Sequence, residues 1–147
     1  MPVALDTHVL IYAEFEPQSV KGTRAADVTL RALRDGVIPV QALGEFLRFT
    51  QRRAPTAFDA VVNQVALYRT LAVTPATTDA VLTTAADMAR THGLQMWDAV
   101  ICAAAIDAGA KALLTEDMQD GRVMDGLRIV NPFLAANNAI VDSMIGP

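Results

Sequence analysis

WDAVICAAAIDAGAKALLTED, residues 97–117, opens beside one acid, closes on another, and changes its period once between them. From Asp98 to Gly109 the chain is apolar almost all round, which marks a helix buried on several sides. Gly109 stops that helix, and Lys111–Thr115 reads as a short strand ending in Glu116 and Asp117. A helix that leads into a parallel strand runs antiparallel to it, so its first residue stands at the strand's carboxyl end. Asp98 and Asp117 should therefore share one edge of a sheet.

Working outward, Val3–Leu5 is a short apolar run that ends in Asp6 and Thr7, as a buried strand feeding a turn would. Residues 8–14 suit a short helix broken before Pro17. Residues 22–35 have helical spacing up to Gly36. Val37–Val40 reads as a second strand, its Pro39 hinting at a strand end or edge. Gln41–Arg53 is a helix closed by Pro55, and Thr56 with Asp59 has the spacing of a capping box for the helix that follows. Leu71–Val73 is another short apolar run. A further helix spans about 78–91, and Leu127–Val130 reads as a last strand before Asn131 and Pro132. Residues 134–147 show no strong pattern.

Strands alternating with helices predict an α/β fold: a three-layer α/β/α sandwich with a central parallel sheet of four to five strands, one domain over residues 1–147. Apolar residues make up 52% of the chain and aromatic ones only 5%, so the core must be built from Ala, Val, Leu and Ile. The single cysteine, Cys102, cannot form an internal disulfide and is read as a small buried hydrophobe. The longest apolar run falls well short of the roughly 20 residues a membrane span needs, and the start carries no basic region; a soluble cytoplasmic protein is expected.

In open α/β sheets the ligand site lies beyond the carboxyl ends of the strands. Asp6 follows the first strand, Asp117 follows strand 111–115, Asp98 heads the returning helix, and Glu45 lies about one turn into the helix after the second strand. Singly, each acid has an ordinary explanation: a helix cap for Asp6 and Asp98, a helix-face pair with Arg48 for Glu45, a turn for Asp117. Together they should crowd one rim. Two like charges about 4 Å apart repel by about 4 kcal/mol at the effective dielectric of a protein, so such a cluster needs protons or cations. All-oxygen ligands select Mg²⁺ or Mn²⁺, and no His/Cys spacing suits zinc. Net charge is −4, yet residues 21–53 carry seven cations against three acids. Acids for a metal, with Arg48, Arg52 and Arg53 for phosphates, describe a phosphodiesterase site.

LDTHVLIYA (residues 5–13), the internal Glu45, WDAVICAA (97–104), LLTEDMQDG (113–121) and the terminal LRIVNPF (127–133) together resemble the PIN-domain nucleases, specifically the VapC-like toxins of bacterial toxin–antitoxin pairs. The resemblance covers nearly the whole chain in the family's order. It implies that Asp6 and Asp98 are the main Mg²⁺ ligands, that Glu45 and Asp117 complete the site, and that Thr7 and Thr115 support it. It implies hydrolysis of single-stranded or loop RNA by a metal-bound water, in homodimers silenced by an antitoxin.

Two positions depart from the family's pattern. His8 stands where Asn is frequent and is read as a packing or hydrogen-bonding residue. Asp120 stands where an aromatic or another Asp often sits; it either joins the site or is a turn residue before Gly121. Glu116 is expected to face solvent. For the antitoxin, the apolar stretch Val9–Tyr12 with helix 22–35 offers a candidate groove. Two other readings compete: a haloacid-dehalogenase-like phosphatase, which needs a second acid where this chain has His8, and a non-catalytic partner-binding module of the same architecture.

Overall fold

Val3–Leu5 is fully buried, as a strand inside a parallel sheet with helices on both faces must be. It is β1 of the computed structural model, which describes residues 1–147. After it come α1 (Thr7–Phe15), α2 (Val20–Ala32), α3 (Val40–Arg53), α4 (Phe58–Leu71), α5 (Asp79–His92) and α6 (Met96–Asp107). The chain then adds β2 (Ala112–Leu114), β3 (Val123–Met124), β4 (Leu127–Val130) and α7 (Asn138–Ile145). The strands form one sheet in the order β1-β2-β4-β3. Leu5 pairs with Leu114, and Leu114 with Val130, in parallel; β3 alone runs antiparallel, against β4. The architecture is the expected α/β/α sandwich around a mostly parallel sheet.

The helix that the sequence marked as apolar all round is α6. Ala99 to Ala105 are buried without a break, Cys102 among them, and they join one core cluster of 37 residues. Four of the seven helices start where a side chain caps them. Ser19 accepts from the Gly22 N–H, Thr78 from the Val81 N–H, and Asp6 from the Thr7 N–H.

Four expectations need correction. Val37–Val40 is not a strand. Val37 makes single parallel bridges to Ala4 and Val73, which extend the sheet by one residue each. Pro39 has no N–H to give a ladder and serves as the residue before α3, so the extended segment ends there. The capping box at Thr56 and Asp59 does not form. A turn of tighter helix over Pro55–Ala57 leads straight into α4, whose cap position is Ala57. β3 went unread, although Asp125-Gly126 signals it: both residues have positive φ, 51° and 85°, the two-residue turn of a hairpin. Finally, residues 134–147 include α7. Its own pattern is weak because it buries only Val141. Arg24 and Arg31 of α2 hold it from outside, by Asp142 at 3.2 and 3.0 Å and, for Arg31, by the Gly146 carbonyl at 2.8 Å.

α2 crosses α1 so closely at Gly22 that a Cβ there would lie 1.6 Å from the Glu16 carbonyl oxygen and 2.9 Å from that of Tyr12. Both obstacles are backbone. Gly22→Ala should therefore lower unfolding free energy by about 2 kcal/mol or more, outweighing the gain of up to about 1 kcal/mol from helix propensity. Gly44, exposed in the middle of α3, has nothing within 4 Å of its Cβ position. Gly44→Ala should raise stability by up to about 1 kcal/mol. Urea titrations of the two variants, read side by side, test the close crossing.

Candidate active site

The strand ends deliver Asp6 and the Thr115–Asp117 turn to the same edge, because β1 and β2 are parallel and in register. Asp6 is 2% exposed. One of its oxygens accepts the Thr7 N–H at 2.7 Å and the other the Thr115 hydroxyl at 2.6 Å. Burial pushes its carboxyl above the usual carboxylate range, against those two hydrogen bonds, and the nearby Asp117 and Glu45 add to the rise. Thr115 works in both directions: its oxygen also accepts the Asp117 N–H at 3.1 Å.

The other acids are tied in through the same short polar residues. Thr7 donates its hydroxyl to Glu45 at 2.6 Å, and Gln41, one helical turn earlier on α3, donates its amide to the other Glu45 oxygen at 3.2 Å. His8 Nδ1 lies 2.8 Å from an Asp117 oxygen. That hydrogen bond holds the Asp117 carboxyl below its ordinary range and the imidazole above its own. Sequence reading gave His8 a packing or hydrogen-bonding role; the contact is with a site acid. Gln41 went unnoticed, though its i,i+4 spacing to Glu45 was a usable signal.

Asp98 is the exception. It stands in the first turn of α6, where Gln95 caps the helix by accepting the Trp97 and Asp98 N–H groups. No protein donor reaches its carboxylate. Half-burial and the combined charges of Asp6, Asp117 and Glu45 raise its pKa from 3.8 to about 6, outweighing the favourable helix terminus.

All four acids line one open cavity of about 640 Å³. Glu45, Arg48, Phe49 and Arg52 share a face of α3 by their spacing, and Arg48, Arg52 and Arg53 line that side of the cavity. None of the three arginines has an ion-pair partner; the expected alternative, a Glu45–Arg48 pair, is absent. Of the other cations of the basic segment, Lys21 pairs with Glu116, and Arg24 and Arg31 pair with Asp27 and Asp142, while Arg34 pairs with no acid and lies away from this cavity.

Two further positions settle differently from the sequence reading. Glu116 does not face solvent: it accepts the Tyr12 hydroxyl and, at 2.8 Å, the Lys21 ammonium, which lies over the Tyr12 and Phe133 rings. The turn after β2 sends successive side chains to opposite sides, so Asp117 meets the cavity and Glu116 meets α1 and α2. Asp120 does not line the cavity; it accepts the Asn131 N–H and the Asn137 amide, both at 2.8 Å, and closes the loop after β4.

The donor set can be tested against a metal. No three His, Cys, Asp or Glu side chains lie close enough together to hold a metal ion between them. What the chain presents is an open set of carboxylate oxygens, one of them without a hydrogen-bond donor and lifted toward neutrality by its neighbours. That fits a hard cation that keeps several waters, as Mg²⁺ does, and does not fit a fully enclosed one.

A family model for the PIN domain matches residues 3–122. No curated protein matches the chain significantly. Among solved structures it is similar to the Mycobacterium tuberculosis toxin VapC20, described as cleaving the sarcin–ricin loop (17% identity, TM-score 0.64, 78% of this chain and 91% of that one). It is also similar to a chain of a toxin–antitoxin complex from Klebsiella pneumoniae (15%, TM-score 0.69, 88% and 97%). A third is FitAcB from Neisseria gonorrhoeae (19%, TM-score 0.61, 89% and 98%). At these identities the structures speak for the fold, and the matched residues contain all four acids of the rim: this chain belongs to the PIN-domain family.

Proposed function

We propose that the chain is a divalent-metal-dependent endoribonuclease, the toxin of a toxin–antitoxin pair. The observation that carries this reading is one cavity holding Asp6, Glu45, Asp98 and Asp117 with three unpaired arginines beside them. Asp98 and Asp6 would hold Mg²⁺ or Mn²⁺, with Glu45 and Asp117 completing the set through water. When bound, such an ion polarises a water and offsets charge building on the phosphate. The chain's own residues do the rest. Arg48, Arg52 and Arg53 bind the RNA phosphates and set its path across the acids. Thr7 and Gln41 fix the Glu45 carboxylate, His8 fixes that of Asp117, and Thr115 holds Asp6 and the Asp117 backbone in one unit.

An antitoxin partner is supported by the kind of assembly found among the similar structures. Of the groove read in the sequence, helix 22–35 remains a candidate and the Val9–Ile11 stretch does not. Val9, Leu10 and Ile11 are buried, at most 5% exposed, so they have little surface to offer. The better candidate is the outer face of α2, where Leu30 is 76% exposed beside a shallow depression also lined by Ala13, Leu33 and Tyr68. Exposed Leu67, Leu71 and Val73 would suit a second copy in a homodimer.

The competing phosphatase reading needs Asp6 as a nucleophile with a second acid at position 8. Asp6 is buried with both oxygens engaged, and His8 faces Asp117, so the geometry disfavours it. Failure to hydrolyse p-nitrophenyl phosphate is the expected result. For the non-catalytic alternative, growth arrest on expression that an Asp98 variant relieves is the excluding observation.

Asp6→Asn and Asp98→Asn should reduce Mg²⁺-dependent RNA cleavage to background while far-UV circular dichroism stays unchanged; cleavage at the parent rate would mean the site is wrongly assigned. Thr115→Val, which removes only support, should cost about 10–100-fold. Three phosphate contacts predict that log Kd for single-stranded RNA varies with log salt with a slope of about 2 in magnitude, falling by about 0.7 for each arginine replaced by Ala.

Charge crowding makes a second prediction, on stability. An acid whose pKa is higher folded than unfolded binds its proton more tightly when folded. The Asp98 contribution is therefore fully present below its ordinary 3.8 and is lost as pH rises through about 6. In chelator at about pH 7, Asp98→Asn should melt at a higher temperature than the parent, and the gap should close by about pH 4. Mg²⁺ should raise the parent's Tm more than the variant's.

A further inference from the structure

Trp97 is the only tryptophan in the chain, and it is 50% exposed. A large aromatic side chain left half in water is uncommon unless something covers it. Trp97 has no partner within the protein: its indole N–H donates to no group, and its ring belongs to none of the aromatic or cation–π contacts, which involve His8, Tyr12, Phe15, Phe46, Phe49, Lys21 and Phe133. Its backbone is nonetheless fixed, because Gln95 accepts the Trp97 N–H at 2.9 Å and starts α6 there. The side chain lines the same cavity as the four acids and the three arginines.

We propose that Trp97 is the platform on which one unpaired base stacks beside the scissile phosphate, making it a positioning and specificity-determining residue; this rests on the ribonuclease reading. Aromatic faces hold the bases of single strands by stacking, and a base already paired in a duplex cannot take up that position. Trp97 and Asp98 follow one another in the first turn of α6 and line the same cavity. A base stacked on the ring therefore belongs to a nucleotide near the bond that is cut. Arg48, Arg52 and Arg53 lie across the cavity on α3, where they draw in phosphates while the ring receives the base. An apolar face of a second protein molecule would instead desolvate those cations and the acids together, an unfavourable exchange. RNA, which brings negative charge and planar faces at once, suits the lining better.

Because no other tryptophan is present, intrinsic fluorescence reports on this residue alone. The test uses the Asp98→Asn protein in Mg²⁺, where RNA is bound but not cut, with a short end-labelled single-stranded oligoribonucleotide. Anisotropy reads binding and tryptophan emission reads stacking. Binding should quench the emission. An abasic nucleotide scanned along the oligomer should abolish the quench at one position and weaken binding about tenfold there. Adding Trp97→Ala should weaken binding of the intact oligomer to the same degree and remove its sensitivity to that abasic position. Trp97→Phe should stay within about threefold of the parent. Binding without a quench, or Trp97→Ala binding like its parent, would overturn the stacking role and leave the ribonuclease reading standing. No RNA binding in this background, together with no cleavage by the unsubstituted protein, would overturn both. A Trp97→Ala variant whose RNA affinity is unchanged but whose mass by sedimentation is halved would make the residue a subunit contact and end the proposal.

Discussion

Mutual repulsion among four carboxylates at the carboxyl edge of the sheet is the constraint around which this chain is arranged. Left to themselves, the acids would swing apart into water. Three are prevented from doing so by hydroxyls, an amide and an imidazole that donate to their carboxylates: Thr115 to Asp6, Thr7 and Gln41 to Glu45, His8 to Asp117. The fourth, Asp98, is held only by its place in the first turn of α6, and it bears the electrostatic cost as a raised pKa. The supporting network joins residues from α1, α3 and the turn after β2, so the site is as rigid as the packing of those elements.

That packing explains why the arrangement survives. α6 is buried along its whole middle, and β1 is buried on both sides. Neither element can rotate or slide without opening the core, so Asp98 and Asp6 cannot retreat from one another. Strain of this kind is tolerable when a rigid core over-determines the backbone around it.

The basic segment shows a division of labour that charge counting hides. Arg24, Arg31 and Lys21 serve the fold, tying α2 to α7 and anchoring Glu116 against Tyr12. Arg48, Arg52 and Arg53 form no ion pair and line the cavity, whereas Arg34, just past the end of α2, is unpaired but lies away from it. Within one stretch of chain, helix phase decides which cations are neutralised and which remain available to a polyanion. The −4 net charge of the whole protein therefore says little about the local field at the site.

Period and order along the chain were enough to read the parallel α/β plan, the strands before Asp6 and Asp117, the buried helix after Asp98, and the convergence of four acids on one edge. These depend on local pattern and on a handedness and direction that parallel sheets share. The Asp125-Gly126 hairpin was legible too, by its turn residues, although its two-residue strand is too short to show a period. Other features were decided in three dimensions. Val37 joined the sheet only by single bridges, to Ala4 on one side and Val73 on the other; α7 formed because arginines of α2 reach it; Glu116 turned inward because Lys21 and Tyr12 wait there; and Val9–Ile11, apolar like a docking stripe, went into the core. In each case the deciding partner lies far away in sequence. A residue's neighbours along the chain fix its preferred element, whereas its hydrogen-bond partner and its exposure depend on which other element is packed against it, and no local pattern carries that information.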